Sequence, residues 1–219
     1  MIRFLRYYSL EIYTVISMIV MAYAWVININ TNTIQAFAVI AILLWILHER
    51  EESYYPWWFA TNVIWKITGF KDKLTPEIVR YSRVVTSIYL MVLTFVPFFW
   101  SEHAWLIIPA WCLGIFEWIV HIVFIYAARL KKPYSPWMIT AEIELVLSIW
   151  MFYYLITNNL VEPIHFLYGF LIMFWWYIWI QYNEVHLVWF KYRELPKRMK
   201  ENIKRIRAEI KAEKENKKK

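Results

Sequence analysis

Six runs of about twenty mostly apolar residues dominate this chain, and runs of that length fit one solvent, the hydrocarbon core of a bilayer. They cover residues 9–29, 31–48, 84–100, 104–128, 136–156 and 163–182. Composition points the same way. Hydrophobic residues make up 61% and charged residues 19%, against about 45–50% and about 25% in soluble domains. Three glycines exclude a glycine-rich phosphate loop, and the single Cys112 excludes both a disulfide framework and a cysteine zinc cluster. The expected fold is all-α: a polytopic membrane bundle of six spans over residues 1–186, followed by a cytoplasmic tail over 187–219.

Orientation follows from Lys and Arg. With a cytoplasmic N-terminus, the outer connections are 30–33, 101–103 and 157–162, and none contains a basic residue. This is the positive-inside pattern, and an even span count puts both termini in the cytoplasm, with the cell membrane as the expected location. Arg3, Arg6 and the small residues near Ala22–Ala24 resemble a cleaved signal, but the apolar run continues to Ile29, so a retained first span is expected.

Two segments stand apart. Residues 54–70 read YYPWWFATNVIWKITGF, a stretch suited to an interfacial helix or to a lid over a site at that surface. From Leu187 onward the chain holds 13 basic and 5 acidic residues, which leaves the remainder near neutral. Leu195, Met199, Ile203, Ile206 and Ile210 share one helical face. A basic amphipathic helix of this kind rests on anionic headgroups or forms a short coiled coil; no recognition motif supports nucleic-acid binding.

Ionisable residues inside spans are costly and point to function. A helix from Thr31 rises about 27 Å by His48, so His48, Glu51 and Glu52 fall at the inner edge of the hydrocarbon. Glu117 and His121 lie roughly 16 and 10 Å from the inner end of the fourth span, and Glu142 and Glu144 roughly 9 and 12 Å along the fifth. Spacings of i,i+3 and i,i+4 allow Glu51 and Glu52 to share the face of His48, and set Glu117 with His121. Glu142 and Glu144 sit about 200° apart, so only one faces a common site; depth favours Glu142. His48, Glu51, Glu52 and His121 form a candidate ligand set for zinc, iron or manganese, with Glu117 or Glu142 as general acid or base. A metal-free His–Glu network and proton-handling carboxylates are the other readings. The spacing argues against a His-Glu-x-x-His protease helix and does not match the Glu-x-x-His pairs of four-helix di-iron sites.

The string His48-Glu49-Arg50-Glu51-Glu52 resembles the defining motif of the HXXEE family of small membrane proteins. Pro56-Trp57-Trp58-Phe59 is similar to the family's Pro-aromatic element. Glu117 and His121 resemble its later polar-residue–histidine pair, where Asn is more usual first. Lys131 through Ala141 resembles its basic turn into a Tyr-x-Pro-Gly-x-x-Thr-Ala segment, with Trp137 in place of Gly. The resemblance covers roughly residues 48–150 and implies a membrane-embedded protein with an enzymatic role.

Taken together, the residues suggest a metal-dependent membrane enzyme acting on an apolar small-molecule substrate, a lipid or isoprenoid, that arrives from the inner leaflet. The alternatives are a metal-free isoprenoid isomerase or cyclase, and a non-enzymatic lipid or cation binder or transporter.

Overall fold

The computed structural model describes residues 2–26, 33–53, 65–69, 76–128, 139–187 and 191–216. Among these residues the chain is helical, without a strand. A short α1 (Ile2–Tyr7) leads into α2 (Ser9–Val26) and α3 (Thr33–Ser53). A single turn, α4 (Trp65–Thr68), precedes α5 (Pro76–Phe99), α6 (Ile108–Ala128), α7 (Ile139–Thr157) and α8 (Pro163–Leu187); α9 (Leu195–Asn216) closes the chain. Most of the segment expected to be interfacial, residues 54–64 and 70, lies outside the described residues, as does the basic turn at 131–138.

Helix is the only open-ended structure that satisfies its own backbone in lipid, and these segments are apolar on nearly every side. Five helices are long and apolar enough to cross a membrane: α2, α3, α6 with its leading 3-10 turn, α7 and α8. The apolar part of α5, Arg83–Phe99, is shorter. α5 itself begins at Pro76, well before the apolar run, because its first two turns carry Arg80 and Arg83 to acidic partners.

The α7–α8 connection shows how short the joints are. Asn159 takes φ 53°, the Leu160 amide donates to the Leu155 carbonyl, and the Asn159 amide donates to that of Ile156. This is the left-handed cap that ends a helix when Asn follows it.

Packing places α3 at the centre, against α2, α5 and α7, while α6 lies between α7 and α8. Gly114 allows the α6–α7 contact: a Cβ there would lie 3.1 Å from both the Glu144 Cβ and the Ser148 Oγ. Ser148 completes the seam with its hydroxyl 2.9 Å from the Trp111 carbonyl and 2.6 Å from that of Glu144, its one proton shared between them. Above the site the core is aromatic: Phe37 meets Trp111, Trp150 and Tyr154 edge-on. Large side chains such as Trp25, Val146, Tyr153 and Trp175 face outward, as lipid-facing surfaces require.

A candidate metal centre at the end of α3, α6 and α7

The last two turns of α3 are polar, yet His48, Glu49 and Glu52 are buried. Their i,i+3 and i,i+4 spacing turns them toward neighbouring helices. Glu52 carries two jobs. One oxygen lies 3.0 Å from His121 Nε2 on α6 and 3.6 Å from His48 Nε2. The other accepts from Arg83 of α5 at 3.1 Å, and Arg83 also pairs with Glu49 at 3.1 Å. The guanidinium thereby fixes Glu52 with one oxygen directed at both imidazoles. The two rings are perpendicular, their centroids 5.3 Å apart.

Glu117 lies one turn before His121 on α6, partly buried. His48, Glu52, Glu117 and His121 each offer one donor atom, and all four atoms lie within 4.8 Å of one another. Donor atoms on one tetrahedral zinc-sized ion sit about 3.4 Å apart. The set would therefore draw in by about an ångström to share one ion, and two imidazoles with two carboxylates match the preference of zinc, iron or manganese.

The two remaining expected site residues have other places. Glu51 is not among the four. Its carboxylate accepts from the Thr140 hydroxyl at 2.5 Å and the Thr140 amide at 3.4 Å, at the start of α7. A carboxylate is stabilised there by the unsatisfied amides and the positive end of the helix dipole. The favoured Glu142 is exposed, and Glu144 turns inward instead, 1% exposed. Depth misled here because rotation decides. Thr140, Ala141, Glu144, Ser148, Met151 and Leu155 form the buried stripe of α7, and Glu142 lies off it.

Thr140, Arg83 and Glu49 were not singled out in the sequence as site residues, and Glu144 was weighed there but set behind Glu142. Thr140 places one proton on the His48 ring. Its single hydroxyl proton goes to Glu51, so its oxygen accepts from His48 Nδ1, 2.9 Å away. Nε2 is then the nitrogen directed at Glu52, 3.6 Å away, and in the neutral ring it is the one that would bind. An imidazole oriented through its second nitrogen is the usual arrangement of a metal-ligating histidine. Glu144 approaches the same ring at 4.0 Å, and both its oxygens are buried without a hydrogen-bond partner among the described residues. The small and polar α7 stripe, set against bulky Ile143, Val146, Ile149 and Trp150, was the signal that would have found both α7 residues.

The other histidines serve the ends of helices or face outward. His165 Nδ1 accepts from the Glu162 amide at 3.0 Å, capping α8, and His103 is exposed.

Comparison with protein families, with curated proteins and with solved structures returns no match.

Proposed function

We propose that the protein is a metal-dependent enzyme of the membrane that acts on a lipid or isoprenoid substrate. The observation that carries this reading is the convergence of His48, Glu52, Glu117 and His121, from two separate helices, on one small volume. Charge supports it. Glu49 and Glu52 share one guanidinium, Arg83, while Glu144 lies beside His48 and Glu117 joins the two histidines, and burying such an excess of carboxylate is costly unless cations offset it. The resemblance to the HXXEE family runs through the same residues.

His48, Glu52, Glu117 and His121 would hold the ion, which when bound would activate water or polarise a substrate oxygen. Thr140 holds the His48 ring through Nδ1, and Arg83 holds Glu52. With Glu117 in the donor set, Glu144 is the carboxylate left to accept or return a proton beside His48, the part first expected of Glu117 or Glu142. The apolar spans exclude bulk water and suit a substrate that partitions into lipid, acting from a cytoplasmic-leaflet site in a six-span bundle with both termini inside. Hydrolysis and oxidation both fit these groups.

Elemental analysis of the detergent-purified chain tests the reading. The expected result is ~1 transition-metal ion per chain, falling at least tenfold in His48→Ala and His121→Ala while the variants still elute as folded protein. Metal-free wild type that remains folded and resists reconstitution would overturn it. That result would favour the second reading, metal-free acid–base chemistry on an isoprenoid, which the buried Glu144 carboxylate, without a hydrogen bond among the described residues, supports.

A further inference from the structure

The tail helix α9 uses one face for the protein and leaves an adjoining flank open. On the docked side, Arg198 Nε donates to the Thr68 carbonyl at 3.1 Å, and Ile206 is 5% exposed. Asn202 sits where a Cβ on Gly69 would be, 2.6 Å from its Nδ2, and Gly69 has φ +72°; both facts call for glycine there. α9 therefore runs across the end of the bundle, against α4 and α6.

The open flank is a groove of about 580 Å³, within the range of small-ligand sites. Leu195, Met199 and Ile203 form its apolar floor, and Lys200, Lys204 and Arg207 its edge. These three cations are exposed and form no ion pair within 4 Å among the described residues, whereas Arg205 and Lys211 pair with Glu209 and Glu215 on their own helix. Tyr192 closes one end of the groove, and its ring lies 6.0 Å from that of Tyr182, in the last apolar turns of α8. The groove thus begins where a membrane span ends. An apolar groove starting at that boundary and edged by three cations without ion pairs among the described residues suits a lipid with a negative headgroup.

We propose that this flank is a binding site for an anionic phospholipid. The acyl chain lies along Leu195, Met199 and Ile203, and the phosphate is held by Lys200, Lys204 and Arg207. The site is separate from the His/Glu centre and does not depend on its reading.

The test uses the full chain in nanodiscs. One set contains phosphatidylcholine alone, a second adds phosphatidylglycerol, and a third adds inorganic phosphate to the phosphatidylcholine set. Hydrogen exchange over residues 192–207 and native mass spectrometry of retained lipid are the readouts. Protection and retained phosphatidylglycerol are expected in the second set only. The triple variant K200Q/K204Q/R207Q is expected to lower phosphatidylglycerol affinity on the order of a hundredfold. M199D, which keeps all three cations, is expected to lower it as well, and R205Q to leave it unchanged. Equal lipid retention by the triple variant would overturn the proposal. So would equal protection by phosphate or by phosphatidylcholine alone.

Discussion

Thr140 has one proton to give, and Glu51 takes it; that allocation sets which nitrogen His48 presents to its neighbours. Thr140→Val keeps the shape and removes the relay. It is expected to cost about 1–3 kcal/mol in stability by leaving buried partners unsatisfied, and to weaken metal binding about 10- to 100-fold. Thr140→Ser should retain both. Competition with a chelator, followed by elemental analysis, measures the affinity. The sequence announced the histidines and Glu52 because an ionisable group in an apolar run is conspicuous. It did not announce Thr140, since a threonine near a helix start reads equally as an ordinary cap. Nor did it separate Glu51 from Glu52, because i,i+3 and i,i+4 are both compatible with one face.

Helices were the most legible elements because long apolar runs permit little else in a bilayer. Their rotations were less legible. α7 shows why: its buried side is defined by small and polar residues, while its bulkiest apolar residues face outward, the reverse of a soluble helix. The same inversion makes Gly114 decisive, since α6 and α7 approach closely only where a side chain is missing. Gly114→Leu is expected to overpack this seam, costing about 1–3 kcal/mol. The displacement would fall on Glu144 and Ser148 and on the spacing between His121 and His48. Thermal unfolding in detergent reads the first effect. The second should appear as metal content reduced further than global stability alone explains. Gly114→Ala, with a Cβ in tight contact but no longer side chain, should be much milder.

At the scale of the molecule, the polar groups of α3 meet partners far away in the chain: Arg83 on α5, His121 on α6, and Thr140 and Glu144 on α7. Depth alone set His121 with His48 and Glu52, but the pairings with Arg83, Thr140 and Glu144 needed the packing of the helices. The tail shows the same gap, for the amphipathic stripe of α9 was legible while its seat on α4 was not. Arg83 is the partner whose loss should matter most. Arg83→Gln leaves Glu49 and Glu52 without their shared cation and is expected to destabilise by about 3–5 kcal/mol. Adding Glu49→Gln should restore part of that loss. The comparison of thermal midpoints between the single and double variants checks it.

The order of those partners along the chain also bears on how the protein is made. A ribosome feeding an insertion channel delivers α3, with His48, Glu49 and Glu52 on its closing turns, before any of their counterparts exist. Arg83 is the first to emerge, on the next long helix, so the nascent pair α3–α5 can quench its own acidity at once. Completion of the His/Glu cluster must wait for α6 and α7, which makes its assembly a late event in biogenesis.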